Sequence, residues 1–156
     1  MPNSEINFQF ISEPSDINFG GKVHGGAVMK WIDQAGYACA SAWAEAYCVT
    51  VYVGGIRFFE PIQIGDIVNV KARIIYTGTT SMHIAVDVTS RNPLQEQFHK
   101  TTHCIIVFVA MDEQSKPKKV RKFEPSTPDE RNMEQYAIKL MHLRKEIEDE
   151  MMPFLK

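Results

Sequence analysis

The hydrophobic positions follow two periods along the chain, one helical and one extended. Between residues 24 and 44 apolar residues recur every three or four positions, namely Val28, Ile32, Ala35, Gly36, Cys39, Ala40 and Trp43. The opposite side of this segment carries few polar residues, which is typical of a helix that is buried on most sides. Many of its residues are small, so we expect a neighbouring element to pack very close to it.

The segment between residues 49 and 111 alternates in the way that strands do. Alternating runs occur in "VTVYV", "VNVKARI", "MHIAVDV" and "FHKTTHCIIVFVAMD", and Gly54-Gly55 indicates a bulge in the first of them. A further short strand is expected near "INFQF". Because no helix separates the long strands, we expect antiparallel pairing. The sequence therefore predicts an α+β fold, an antiparallel sheet curled around one long central helix.

The composition changes after Met111. A polar, proline-containing stretch follows, with a basic run between residues 116 and 122. A helix then begins with Thr127 as its N-cap, Pro128 at its first position and Glu130 completing a capping box. We interpret residues 1–156 as a single domain, with a core over about 6–112, a basic linker over 113–125 and a C-terminal helical extension over 126–156.

Charge and composition exclude several classes of function. The formal net charge of -2 gives no general attraction to nucleic acid or to an anionic membrane. No apolar run reaches the roughly 20 residues that span a bilayer, and the N-terminal residues do not resemble a signal peptide. The three cysteines are odd in number and far apart, which favours free thiols and a cytoplasmic location. The histidines show no metal-ligand spacing, so no metal is expected.

Asp33 is the unusual residue of the helical segment. A buried carboxylate costs several kcal/mol unless it is paired or hydrogen-bonded. One interpretation is structural, with Asp33 reaching solvent at the helix edge or pairing with Lys30. The other is chemical, with Asp33 acting as a general base or a nucleophile in a partly dry site.

The stretch "GGKVHGG" leads into the start of the same helix. Free backbone N–H groups there favour negative charge, and Gly25 and Gly26 would let a substrate carbonyl approach them. The alternative is a tight turn that needs glycine for its backbone angles. Gly25 and Asp33 are about 12 Å apart along a helix, which is too far for one carbonyl. A second copy with its helix running antiparallel would bring the two groups together.

The residues also carry a resemblance to a known family. "NFGGKVHGGAVMKWIDQAGYACASAWA" resembles the signature of the hotdog-fold acyl-CoA thioesterases, and "GGIRFFEPIQIGDIV", "TGTTSM" and "HKTTHCIIVFVAMDEQSKP" resemble their later blocks in the same order. "STPDERNMEQYA" is similar to the C-terminal extension of the cytosolic acyl-CoA hydrolases. The resemblance implies a hotdog fold, edge-to-edge homodimers that often form homohexamers, and hydrolysis of acyl-CoA without a cofactor.

The same resemblance implies roles for individual residues. Asp33 matches the catalytic acid, and Asn18 matches an asparagine that lies opposite that acid from the other subunit. Gly26, with Gly25, matches the amides that polarise the thioester carbonyl. Thr50 takes the place of a supporting polar residue.

The resemblance also implies contacts with coenzyme A. The turn that lies against it in the family matches Gly78, Thr79, Thr80 and Ser81. Relatives often have a basic residue near this turn, where this chain has threonines. His24 could reach the site, although a histidine at a helix start more often makes a structural hydrogen bond.

Two other functions remain open at this point. A hotdog hydroxyacyl-thioester dehydratase needs a histidine-centred pattern that we do not find, and a non-catalytic acyl-CoA sensor would not need both Asp33 and Asn18. For the basic run, a solvated tail is the favoured interpretation. A contact with the anionic end of coenzyme A comes second, and a nucleic-acid patch comes last because no aromatic residues interleave it.

Overall fold

The central helix α1 spans Gly25–Ala44 in the computed structural model, which describes residues 3–155. His24 is its N-cap, and the helix ends at Glu45, whose left-handed φ of 51° terminates the hydrogen-bonding pattern. The position of the helix confirms the prediction from hydrophobic spacing. The outermost predicted boundaries, residues 1 and 156, lie outside the described residues.

Five strands form one antiparallel sheet. They are β1 (Glu5–Ile11), β2 (Tyr47–Phe58), β3 (Ile67–Thr77), β4 (Ser81–Arg91) and β5 (His99–Met111). Their order across the sheet is β1-β3-β4-β5-β2, and every pairing is antiparallel, as predicted. The predicted bulge is present, because the register of β2 against β5 shifts between Gly54 and Arg57, where Gly55 has a φ of 65°.

Strand β2 lies at one edge of the sheet, opposite β1, and within residues 3–155 it pairs only with β5. A second register shift occurs between Thr50 and Tyr52. The valines Val51 and Val53 are 53% and 41% exposed, so the apolar alternation of this strand is not matched by burial within the chain. An unpaired edge with exposed valines is a surface that invites pairing with another strand.

Helix α1 packs against the inner face of the sheet at very short range. The predicted apolar face of the helix is buried, and the inward residues of β3 and β4 are almost completely inaccessible. At Gly36 an added Cβ atom would lie 2.9 Å from Cε2 of Phe108 and 3.0 Å from Cγ2 of Ile106. The small residues of the helix therefore allow the close packing that the sequence predicted.

We expect Gly36→Val to lower the midpoint of thermal unfolding strongly. The new side chain overlaps two fully buried neighbours, and overpacking of this kind costs roughly 1–3 kcal/mol. Ala42→Val is the matched control, since Ala42 is exposed on the same helix. An equal effect of both substitutions would show that helix propensity, and not the close contact with β5, limits this position.

The second helix, α2 (Pro128–Met151), covers the outer face of the sheet. Its start confirms the predicted cap, because Thr127 accepts from the Glu130 amide and the Glu130 side chain accepts from the Thr127 amide. Ala137 is buried in a second, smaller cluster with residues from three strands, Ile75, Ala85 and Ile105. A 3-10 turn, Met152–Phe154, follows the helix, and no helix within residues 3–155 is long and apolar enough to span a membrane.

A polar chain fixes α2 to the sheet. Nδ1 of His103 lies 2.8 Å from Oδ1 of Asp87, and Nε2 of His103 lies 2.8 Å from the hydroxyl of Tyr136 on α2. Burial favours the protonated form of Asp87, but the hydrogen bond and charge of His103, with Lys100 and Arg73, outweigh burial and lower the pKa of the carboxyl group.

The basic linker between β5 and α2 is not a loose tail. Its backbone is hydrogen-bonded to the sheet end at Val120 and Phe123, and both of these side chains are buried in the main core. The backbone carbonyl of Arg121 accepts from the indole N–H of Trp43 at 2.9 Å. The cationic side chains are exposed in the single chain, whereas the backbone, contrary to the favoured interpretation of a solvated tail, is bound to the sheet.

Candidate active site

The predicted catalytic residues fall into two separate groups within one chain. One group is Asp33 and Thr50, on the middle of α1 and on β2. The other consists of Asn18 and the first residues of α1, beside a cavity at the opposite end of β2. The residues between Gly25 and Asp33 are all helical, so the rise of about 1.5 Å per residue keeps the groups apart.

Asp33 is exposed in the single chain and accepts a hydrogen bond from the hydroxyl of Thr50, with 2.9 Å between Oγ1 and Oδ1. This contact, and not an ion pair with Lys30, is the one that the structure gives to the carboxylate. The register shift of β2 directly follows Thr50, and bulges of this kind redirect neighbouring side chains. Thr50 therefore holds one carboxylate oxygen and leaves the other free to act on a ligand.

The start of α1 presents two free amides. His24 caps the helix, because its Nδ1 accepts from the Ala27 amide at 3.0 Å. Within residues 3–155 the backbone N–H groups of Gly25 and Gly26 have no hydrogen-bond partner. A Cβ atom on Gly26 would lie 3.1 Å from the capping nitrogen of His24. Glycine at this position therefore avoids a close contact with the capping side chain. These exposed donors at a helix N-terminus suit a developing negative charge.

Asn18 organises the turn before the helix. Its Oδ1 accepts from the backbone amides of Gly20 at 2.8 Å and Lys22 at 3.0 Å. Gly21 in the same turn has a φ of 81°, a backbone angle that favours glycine, so the turn itself accounts for this residue. Since the oxygen of the Asn18 amide is used within the turn, its NH2 group is the part that can bind a ligand.

A cavity of about 320 Å³ lies beside this turn, and its lining includes Asn18, Gly25, Val28, Phe58 and Phe59. The two phenylalanines are about half exposed and belong to the cavity lining and not to the core. Thr102 also lines the cavity and is a residue that sequence reasoning missed. It reaches this position because it pairs with Phe58 across β2 and β5, and only the strand register reveals that pairing.

The turn Gly78–Ser81 does not line this cavity. Ser81 pairs with Val109, seven residues along β5 from Thr102, which corresponds to roughly 23 Å of strand. The turn lies instead at the level of Thr50, which pairs with Phe108. Its Thr79 carbonyl accepts from the Val120 amide, so the basic linker lies directly beside it.

A larger concavity of about 840 Å³ lies elsewhere, along the end of α2. Its lining is apolar apart from Glu146 and Glu150, and it holds none of the predicted catalytic residues. The described part of the chain also contains no cluster of three metal-ligating side chains. The predicted catalytic residues therefore lie around α1 and not at this larger concavity.

Comparison with known proteins identifies the family. The thioesterase superfamily matches residues 20–96. Acyl-CoA thioester hydrolase YciA of Salmonella typhimurium is 33% identical over 120 residues, 75% of this chain and 90% of that protein. A hexameric acyl-CoA thioesterase solved without ligand superimposes with a TM-score of 0.88 at 31% identity, covering 92% of both chains. The chain belongs to the hotdog-fold acyl-CoA thioesterases.

An acyl-CoA hydrolase of Staphylococcus aureus gives a second comparison for this thioesterase fold. Its structure in complex with butyryl coenzyme A, coenzyme A and coenzyme A disulfide has a TM-score of 0.89 at 27% identity, covering 97% of this chain and 93% of that one. Structures of three single variants of the same enzyme are also similar to this chain. In each of them alanine replaces one residue, an aspartate, an asparagine or a threonine.

We expect His24→Asn to keep the thioesterase folded and active, because asparagine is a good helix N-cap. His24→Ala removes the cap and should lower stability by about 0.5–2 kcal/mol. The midpoint of thermal unfolding and the rate of thiol release measure the two effects. A folded His24→Asn protein that binds coenzyme A but has lost its activity would give His24 a chemical role.

Proposed function

We propose that this enzyme hydrolyses acyl-CoA at a site shared by two chains. One chain supplies Asp33, held by Thr50, and the partner supplies the free amides of its α1 with Asn18. The observation that carries the proposal is the separation of these two groups within one chain, each of them exposed. Antiparallel packing of two α1 helices about a two-fold axis would bring each group to the other.

The spacing of the three polar residues supports the assignment. Asn18 and Asp33 are 15 residues apart and Asp33 and Thr50 are 17 apart. In the S. aureus hydrolase the substituted asparagine, aspartate and threonine are separated by the same 15 and 17 residues. We therefore assign these three residues of the present chain to the same positions of the fold.

The proposed chemistry follows from the groups left free. The Gly25 and Gly26 amides bind the thioester oxygen and stabilise the negative charge that develops on it. The Asn18 NH2 group donates to the substrate or to the attacking water. The free oxygen of Asp33 either takes a proton from water as the C–O bond forms or attacks the carbonyl carbon itself. In the first route the C–S bond breaks as the tetrahedral intermediate collapses to the free acid, and the proton held by Asp33 passes to the thiolate of coenzyme A. In the second route the C–S bond breaks to leave a mixed anhydride on Asp33; water then hydrolyses it to the free acid and the carboxylate, and coenzyme A takes a proton from solvent.

The substrate is proposed to lie with its acyl group in the cavity beside Val28 and Phe58. The turn 78–81 is the proposed contact for coenzyme A, and it lies on the side of the chain that carries Asp33. It has no basic residue of its own. The backbone bond between Val120 and Thr79 brings exposed Lys118 and Lys119 close to it, and we propose that this linker supplies the positive charge for the phosphates.

The proposed assembly is a homodimer joined through β2 and, from it, a homohexamer. The free edge of β2 with exposed Val51 and Val53 supports edge pairing. Several similar thioesterases, including one from Yersinia pestis at 32% identity, are hexameric.

We expect Asp33→Asn to fold normally and to lose about 10²- to 10⁴-fold in turnover, because the amide cannot accept the proton or form the acyl bond. Thiol release from acyl-CoA substrates of increasing chain length measures it. The cysteines of the protein do not interfere, since all three are buried and burial raises the pKa of Cys39 and Cys104 to about 12. Asp149→Asn, at an exposed carboxylate, is the control, and a near-normal turnover of Asp33→Asn would disprove the assignment.

We expect inactive Asn18→Ala and Asp33→Ala chains to restore activity to each other. When the two are unfolded and refolded together, about half of the dimers are mixed, and each mixed dimer has one intact site of two. About a quarter of the wild-type activity should therefore return. If Asn18 and Asp33 of each site came from the same chain, every site in a mixed dimer would keep one defect and mixing would restore no activity.

A further inference from the structure

Helix α2 crosses the outer face of the sheet toward its free edge. Its start is bound to β3 by the ion pair between Asp129 and Arg73, with 2.8 Å between Oδ2 and Nη1. Its middle is bound to β5 by Tyr136 and His103. Further along, the guanidinium of Arg144 lies 4.7 Å from the ring centre of Tyr52 on β2. The order of these contacts is the order of the strands in the sheet, so the helix runs from β3 to the edge strand.

The helix does not end at that edge. It continues from Arg144 to Met151, about 10 Å further, and the 3-10 turn follows. Between β3 and β2 it advances three strand spacings, roughly 14 Å, over 15 residues. At the same slope its last turns pass beyond β2 by more than one strand spacing. Every residue from 145 to 155 is exposed, and we call this segment the projecting end of α2.

The projecting end carries an apolar stripe. Upstream, Met133, Ala137 and Leu140 pack against the sheet. With 3.6 residues per turn, Ile147 and Met151 continue the same side of the helix, and Leu143 flanks it. Five large apolar side chains that line the concavity of about 840 Å³ are Leu143, Ile147, Met151, Phe154 and Leu155. Their exposed fractions run from 44% to 86%, so the apolar side of the helix is exposed to solvent in the single chain.

We propose that the projecting end of α2 packs against the projecting end of the partner's α2, across the two-fold axis that joins the two β2 edges. This inference rests on the edge dimer of the proposed function and extends its interface to the outer face of the sheet. A strand added to the free edge of β2 would lie under the projecting end. The partner's helix, which runs in the opposite direction, would lie beside it, and the two apolar stripes would cover each other.

The charges fit an antiparallel pair of helices. The projecting end carries four carboxylates, at Glu146, Glu148, Asp149 and Glu150. Cations lie at its first residue, Lys145, and in the turns before it, at Lys139 and Arg144. In an antiparallel pair Glu146 and Glu150, which border the apolar stripe, lie toward the basic turns of the other helix, whereas Asp149 is on the opposite side and is held by Lys145 of its own helix. These exposed charges add little binding energy but fix the direction of pairing.

Cysteine cross-linking tests the proposal in the full-length protein. The native cysteines are buried, so an introduced surface cysteine is the one that reacts. We expect Ile147→Cys or Met151→Cys to form a disulfide-linked dimer under mild oxidation, because residues near a two-fold axis meet their own copies. Asp149→Cys, on the opposite side of the helix, is the control and should remain monomeric on a denaturing gel. Failure of both stripe variants to cross-link in a protein that is dimeric in solution overturns the proposal.

A second cysteine shows which chains the helices join. Val51→Cys or Val53→Cys places a thiol on the free edge of β2 and should also give linked dimers. Combined with Ile147→Cys, it should still give dimers only, because both contacts join the same two chains. A ladder of larger species would show that α2 joins different dimers, which overturns the proposal. No cross-link at β2, with or without one at α2, contradicts the edge dimer itself.

The strength of the dimer gives an independent measurement. Ile147→Lys with Met151→Lys puts two charges into the proposed apolar contact and should raise the dissociation constant of the dimer at least about tenfold, as measured by sedimentation. Asp149→Lys is the control for added charge and should leave that constant nearly unchanged. Equal dissociation constants for the wild-type protein, the double lysine variant and Asp149→Lys would contradict the proposed contact.

Discussion

The architecture of the site depends on the rigidity of one helix. Gly25 and Asp33 lie on the same unbroken α1, so no motion of loops can bring the helix-start amides and the carboxylate to one carbonyl. A carbonyl needs donors on its oxygen and a base or nucleophile near its carbon, within a few ångströms of each other. In the proposed mechanism a second helix supplies the missing half, and the fold presents both groups at the surface of the single chain.

The sheet holds that helix in position. Close packing at Gly36 fixes the distance between α1 and β5, and the same register places Thr50 opposite Phe108 and within reach of Asp33. Gly36 packs against Phe108, the residue that pairs with Thr50, so a larger residue at Gly36 would press on the strand pair that carries Thr50. The packing of Gly36 on Phe108 and the position of Thr50 beside Asp33 therefore depend on the same pair of strands.

The periodicity of the sequence was enough to predict the elements and the antiparallel direction of the strands. Alternation identified the strands, and the cap at Thr127 identified the start of α2, because both signals are local. The surroundings of Asp33 were less predictable. The sequence left open whether Asp33 reaches solvent at the helix edge or lies in a partly dry site, and in the single chain it is exposed, with Met29 and Tyr37 of the same helix also at the surface. A surface that another copy covers has the composition of a core, so periodicity cannot distinguish the two.

Long-range register was the other feature that the sequence did not reveal. Thr102 reaches the cavity through its pairing with Phe58, and the linker reaches the turn at Thr79 through a bond from Val120. Neither contact leaves a local pattern. Strand β2 combines two features, since it carries Thr50 beside Asp33 and forms one of the two edges of the sheet. If that edge joins the partner, pairing stiffens the strand that orients the carboxylate. Assembly would then act on the proposed site twice, by bringing in the partner's amides and by holding the Asp33–Thr50 pair in place.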